Sequence, residues 1–397
     1  MIETFFTKII SSIVLVSHLL TSLAISAISD NSTFINTYPN LAVDNLWIAH
    51  KDKIQRDGRT IDRDRDYITT SEGQSYALLR AVWMDEKDVF DQVLKWTNHN
   101  LGKRPDELFA WKWGKDAEGK WDVLRDEGGI NSASDADQDI ALALIFASKR
   151  WNQDHYMEQA IKILKDIWDK EIQTVSGKPY LLAGNWAKED GSLSINPSYY
   201  MFYAYPIFAE ADRIHDWMAV KNTSYEMLQK VTESSLNKKT SVSLPPDWAS
   251  FDRKTLSATP PPYADKTTDF SDDAFRVPWR VALDFVWHKD ERAEKYLDTL
   301  GFLALEWEKR GILFSAYTHD GLPAREDESS SMYAATYPYF KIKRPDLAKE
   351  IFAGKLAPLY DPDIEDFSKP LGYYAQNWVW FGLAFHAGRL LDLSKLE

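Results

Sequence analysis

The 397-residue chain contains no cysteine. Disulfides, thiolate catalysis and cysteine-ligated metal centres are therefore excluded, and packing alone must supply stability. Positive charge is also short, with 47 Lys and Arg against 60 Asp and Glu, a formal net charge of −13 and a pI near 5.2. That balance argues against nucleic acid or an anionic membrane surface as a partner, because holding a polyanion takes clustered cations. The eight His are scattered, with no His-Glu-x-x-His and no pair at helical ligand spacing, so neither a metal nor another cofactor is expected. A Gly-x-Ser-x-Gly elbow and a phosphate-cradling Gly-rich loop are missing too. Beyond Ile28 there is no apolar run of membrane-spanning length.

What is present begins at the N-terminus. An almost uncharged stretch from Ile9 to Ile28 follows Lys8 and ends in the small residues Ser22, Ala24 and Ala27. It reads as a signal peptide, residues 1–27, cleaved after Ala24 or Ala27 or kept as an N-terminal anchor. Either way the remainder is expected outside the cytoplasm, secreted or periplasmic, as one catalytic domain over 28–397. Aromatic residues make up 14% of the chain, with 16 Trp. Many must fill the core, yet indole and phenol rings also stack on the flat C–H faces of sugars while their polar edges reach hydroxyls.

Apolar residues recur at three- and four-residue spacing in about a dozen segments, and strand-like alternation is rare. Helices are predicted at 41–54, 71–84, 88–101, 137–150, 155–170, 198–214, 223–235, 272–288, 291–308, 329–340, 346–354 and 371–392. Short and long connections alternate between them. Short links make antiparallel neighbours, and long irregular ones in a compact domain are usually functional. The pattern predicts an all-α fold, an (α/α)6 barrel of six helical hairpins whose long loops and helix starts form the binding face.

Three acidic positions fall at the starts of predicted helices: Glu72 after Thr69-Thr70-Ser71, Asp135 and Asp137 in Asn-Ser-Ala-Ser-Asp-Ala-Asp-Gln-Asp, and Asp272 with Asp273 in Ser-Asp-Asp-Ala-Phe-Arg. Capping alone explains acids in a first turn. Their company points further. Gly73 lowers helix propensity where a good helix former belongs, which suggests a close approach to the backbone there. Small neighbours around Asp135 and Asp137 leave room for a ligand. Arg276 and Arg280 lie within helical reach of Asp273, placed to hold a carboxylate or bind hydroxyls.

Longer stretches carry a resemblance. Ala133 to Ala147, closed by Trp151, resembles the signature of glycoside hydrolase family 8. Ser71-Glu72-Gly73-Gln74-Ser75-Tyr76 is similar to that family's general-acid motif. Asp273-Ala274-Phe275-Arg276-Val277-Pro278-Trp279-Arg280 is similar to the segment bearing the general base in the cellulase-like subgroup. Phe109 to Gly114, Asn196 to Tyr200 and Tyr373 to Trp378 match in order, so the likeness runs from about residue 40 to 392. It implies an (α/α)6 barrel, no metal, inversion at the anomeric carbon and endo-cleavage of a β-1,4-linked polysaccharide. Glucan is the first expectation, with bacterial exopolysaccharide, xylan or chitosan as alternatives and a non-catalytic polysaccharide-binding protein as the non-enzyme reading.

On this basis Glu72 is expected as general acid, Asp273 as general base and Asp135 as a catalytic support. Asp272 stands where a Tyr is common in the family, which leaves the choice between Asp272 and Asp273 open. Trp111, Trp113, Asp137, Tyr199, Arg276, Tyr373 and Trp378 are the substrate-binding candidates. An inverting pair needs its carboxyls about 6.5–9.5 Å apart so that water fits between base and sugar. A monomer acting on a polysaccharide is expected.

Overall fold

The computed structural model describes residues 31–188 and 192–396, and the apolar stretch at 9–28 lies outside them. Helix makes up about half of the described residues, and their strands are confined to pieces of two to four residues. Among the described residues the helices are α1 (Asn31–Thr37), α2 (Pro39–Lys51), α3 (Ser71–Trp83), α4 (Lys87–Asn100), α5 (Ser134–Trp151), α6 (Asp154–Glu171), α7 (Tyr205–Ala211), α8 (Trp217–Glu233), α9 (Arg276–His288), α10 (Glu291–Thr299), α11 (Gly301–Arg310), α12 (Ser330–Lys343), α13 (Pro345–Ile351) and α14 (Tyr373–His386). None is long and apolar enough to cross a membrane.

Two kinds of helix alternate. Helices α3, α5, α9, α12 and α14 are buried along most of their length, whereas α4, α6 and α10 bury one stripe and wet the other. A helix apolar all round belongs inside, and an amphipathic one belongs outside. The inner ring therefore runs α3, α5, α7, α9, α12, α14, with α4, α6, α8, α10 with α11, α13 and α2 packed on it in turn. It closes where Arg80 Nη1 of α3 donates to Asn377 Oδ1 of α14 at 3.1 Å and Tyr76 packs edge-on against Trp378. Trp380 Nε1 bonds the Val43 carbonyl, docking α2 on α14. This is the expected (α/α)6 barrel.

The connections explain the polarity of the barrel. At one end the hairpins turn tightly, with Asn152 (φ 50°) and Lys289 (φ 55°) adopting the left-handed conformation that ends α5 and α9. At the other end the long links carry all the short strands described. There β1 (Thr69–Thr70), β2 (Lys112–Lys115) and β3 (Trp121–Val123) form an antiparallel sheet at the start of α3. The starts of the inner helices thus face the long loops.

Several boundaries depart from the sequence reading. The helix predicted at 198–214 is only α7, preceded by a 3-10 turn at Pro197–Tyr199. Pro206 has no N–H to give and crowds the residue before it, so the helix begins there rather than earlier. The one predicted at 223–235 starts at Trp217, because Asp216 caps it through the Ala219 amide. That predicted at 272–288 starts at Arg276, leaving Asp272 and Asp273 in a preceding turn. The segment 291–308 is broken into α10 and α11 at Leu300.

Candidate active site

Arg276 is the first residue of α9 and is 1% exposed. A guanidinium this deep must have its charge met. Three carboxylates from three different segments do so. Nη1 donates to Glu72 Oε2 at 3.0 Å and to Asp135 Oδ2 at 3.2 Å, and Nη2 donates to Asp273 Oδ1. Nη1 also reaches the Tyr76 hydroxyl at 3.3 Å. One cation thus gathers the first turns of α3 and α5 and the turn before α9. Glu72 and Asp273 meet opposite nitrogens of one planar group, which caps the distance between these oxygens at about 8 Å and so permits the spacing of an inverting pair as well as the shorter one of a retaining pair. Arg280, expected near Asp273, instead forms a buried fork with Asp139 at 3.2 and 3.1 Å and bonds the Tyr203 hydroxyl. Four residues along α9 turn it deeper into the barrel.

Glu72 lies in the first turn of α3, whose cap is the Thr70 hydroxyl accepting from the Gly73 amide. Burial, opposed by Arg276 and reinforced by the charges of Asp135 and Asp273, pushes its carboxyl up to about 7. The Tyr373 hydroxyl, at the start of α14, donates to Glu72 Oε1 at 3.3 Å. This contact explains Gly73: a Cβ there would stand 2.7 Å from the Tyr373 hydroxyl and 2.9 Å from Thr60 Oγ1. Gly73→Ala is therefore expected to push Tyr373 off Glu72. A drop in kcat of about tenfold or more, with about 1–3 kcal/mol of overpacking, should appear in steady-state kinetics and urea melts. Unchanged kcat would mean that the Tyr373–Glu72 contact has no part in activity.

The Asp273 side chain is fixed from both sides, since Oδ2 accepts from Trp248 Nε1 at 2.8 Å while Oδ1 faces Arg276. Asp272 points elsewhere: its carboxylate pairs with Arg325 at 2.8 Å and its side chain is 56% exposed. Asp247, not recognised in the sequence, builds the turn that carries Asp273. It is buried and accepts from the amides of Ser271, Asp273 and Ala274, at 3.0, 3.2 and 2.7 Å, and from the Ser271 hydroxyl. Its only trace in the chain is Pro245-Pro246-Asp247-Trp248, a rigid entry followed by an acid and an indole. Asp247→Ala is expected to lower kcat about a hundredfold while KM changes little, because the turn that carries Asp273 loses its anchor but the rest of the cleft remains. Asp247→Asn should be milder, and an equal rise in KM would show a general collapse of the cleft instead.

The other candidates divide. Tyr199 is half-buried beside the acids, with Arg276 5.4 Å from its ring centre and Trp248 edge-on at 5.8 Å. Trp111 is half-buried next to α3, its carbonyl accepting from the Ser71 amide at 3.1 Å and its indole donating to the Gly128 carbonyl. Tyr199 and Tyr373 flank the acids, and Trp111 adjoins them through the backbone at the start of α3. Three candidates sit elsewhere. Trp378 is 1% exposed and packs among Tyr76, Phe275, Trp279 and Phe381, so it is core. Trp113 sits on β2 facing Arg59, Trp96 and Trp121, opposite in register to its neighbour Lys112. Asp137 is fully buried and takes the Phe109 amide at 3.0 Å, holding the segment that leads to Trp111 rather than lining the cleft.

Asp137 Oδ2 and Glu171 Oε2 are both buried without a hydrogen-bond partner among the described residues. Burial foremost raises both carboxyls, Glu171 to about 8, and the charge of Glu171 adds to the rise at Asp137. Folded values above unfolded ones mean that their stabilising contribution is full below about pH 4 and is lost as pH rises through the folded values. The melting temperature is expected to be higher at pH 5 than at pH 8.5 by calorimetry. A rise over that range would refute the assignment.

Among the described residues no group of three or more His, Cys, Asp or Glu is arranged to hold a metal. The fold and the site together define an (α/α)6 barrel with a carboxylate cluster at its mouth. The family model of glycosyl hydrolases family 8 matches residues 13–321, and the chain belongs to that family. An endoglucanase of Xanthomonas axonopodis pv. citri is 39% identical over 221 residues, covering 54% of each chain. Endoglucanase A of Acetivibrio thermocellus is 28% identical over 354 residues, 86% of this chain and 66% of its own length. The chain thus spans between about half and two thirds of these relatives. Its fold is shared with the crystal structure of an endo-1,4-D-glucanase from Vibrio fischeri ES114, with a TM-score of 0.71 and 24% identity over 86% of this chain and 94% of that one.

Proposed function

We propose that this chain is an exported, monomeric, inverting endo-glycosidase cutting a β-1,4-linked glucan, with residues 28–397 as its catalytic domain behind a leader at 1–27. The observation that carries the reading is the Arg276 hub, which assembles Glu72, Asp135 and Asp273 in one cluster. In this reading Glu72, held protonated by burial and by its two acidic neighbours, delivers its proton to the leaving glycosidic oxygen. Asp273, steadied by Trp248 and Arg276, takes a proton from water attacking the opposite face of the ring. Asp135, buried on the same guanidinium, faces the positive charge that develops at the anomeric carbon. Tyr199 and Trp111 supply the stacking surfaces and Tyr373 orients Glu72. The named relatives are endoglucanases, which supports glucan over xylan, chitosan or a bacterial exopolysaccharide.

The test is reducing-sugar release from carboxymethylcellulose, mixed-linkage glucan, xylan and chitosan, with proton NMR of the first anomer formed. Release from the glucans as the α-anomer is expected. The β-anomer would make the enzyme retaining, and release from chitosan or xylan alone would move the substrate. Binding without release from any polymer would favour a non-catalytic polysaccharide-binding protein.

A further inference from the structure

Trp113, turned away from Glu72, is the middle rung of a ladder. Its ring centre lies 5.2 Å from that of Trp96, nearly perpendicular, and 5.1 Å from that of Trp121, stacked at 20°. Trp96 is 5% exposed and Trp121 is 43% exposed, so the ladder climbs from core to solvent. The Arg59 guanidinium stands 4.4 Å from the Trp113 ring centre and 4.6 Å from that of Trp121. It is anchored by Nε donating to Thr69 Oγ1 at 2.8 Å, so the outer indole rests on a fixed base. A groove of about 460 Å³ runs past Trp96 and Trp113, edged by Arg56, Lys95 and His99.

Two properties of this surface exceed what packing requires. An indole left nearly half in water forgoes the stabilisation that burial would bring. Arg56 and Lys95 are exposed and have no ion-pair partner among the described residues, and Asp57 is the one carboxylate in the lining. On a chain of net charge −13 this is a local excess of positive charge beside an aromatic platform. Flat apolar rings bind the C–H face of a pyranose, and unpaired cations bind carboxylates.

We propose that this groove, together with the Trp121 ring stacked on its lining residue Trp113, is a second glycan-binding site, separate from the Glu72 cleft, and that its ligand is a polysaccharide bearing carboxylate groups. The sugar ring lies on Trp121 and the carboxylates meet Arg56 and Lys95. Because β2 joins this face to β1, directly before α3, the site anchors an acidic polymer behind the wall of the cleft.

The experiment is affinity electrophoresis of the full chain carrying Glu72→Gln, in gels containing carboxymethylcellulose or neutral hydroxyethylcellulose at low salt. Stronger retardation by the carboxymethylated polymer is expected. Adding Trp121→Ala should weaken it about tenfold, and Lys95→Glu should remove the preference for the anionic gel. In the otherwise unaltered chain, Trp121→Ala should leave the hydrolysis of short soluble cello-oligosaccharides unchanged. Equal retardation with and without Trp121 would overturn the site, and equal retardation in both gels would overturn its carboxylate specificity. Retardation through Trp121 in a chain that hydrolyses no polymer would support this site while refuting the glycosidase reading.

Discussion

Glu72→Gln is expected to lower kcat on a polymeric glucan by about three orders of magnitude, since general-acid catalysis contributes about 10²–10⁴-fold. The substitution is isosteric. The amide oxygen still accepts from Arg276 Nη1, and Tyr373 keeps a partner, so the barrel should melt close to the wild type. What disappears is the proton. An aryl glycoside with a leaving group that departs without protonation should therefore be spared most of the loss. The pH profile provides a second reading. As the proposed general acid, Glu72 works when protonated, and its protonated fraction falls as pH rises through about 7, so wild-type kcat/KM should decline on the alkaline side near that value. In Glu72→Gln that limb should vanish. A variant that cuts polymer at near-wild-type rate would remove Glu72 from the mechanism.

Arg276→Met should cost about 3–5 kcal/mol of stability, the range for breaking a buried ion pair by removing one partner. The reason is specific to the cluster. Arg276 is the hydrogen-bonded cation common to Glu72, Asp135 and Asp273. Without it the carboxyls of Glu72 and Asp135, already raised by burial, lose the charge that opposes the rise. Acids with raised folded values stabilise below their unfolded values and cease to as pH climbs through the folded ones. The deficit should accordingly be smallest near pH 5 and grow toward pH 8, as read from urea unfolding at both pH values. An identical deficit at the two would mean that Arg276 contributes only packing.

The sequence carried a clear imprint of the barrel because both of its determinants are local. Inner and outer helices differ in how much of their circumference is apolar, and tight hairpins alternate with long loops, so ring order follows from chain order. The acid motif was legible for a related reason. In Ser71-Glu72-Gly73 a glycine stands where helix formation disfavours it, and the cause proved to be the Tyr373 hydroxyl and Thr60 pressing on that backbone. Family likeness added the roles of Asp135 and Asp273 as expectations.

Other assignments depended on direction, which periodicity does not encode. Asp272 and Asp273 are adjacent acids in one turn, and only the placement of Arg325 outside and Arg276 with Trp248 inside distinguishes them. Trp378, Trp113 and Asp137 looked like cleft residues beside cleft motifs. The side on which each element meets its neighbours sent the first into the core, the second to the outer face and the third under the loop of Phe109. Asp247 left almost no local signal, because its work is to bond amides more than twenty residues ahead. By itself, then, the amino-acid sequence determined the family, the helical toroid and the acidic motifs at its helix starts, all set by short-range pattern. The tertiary structure alone decided which carboxylates share Arg276, which aromatics stand near them and which pack on another face, because those depend on contacts between segments distant in the chain.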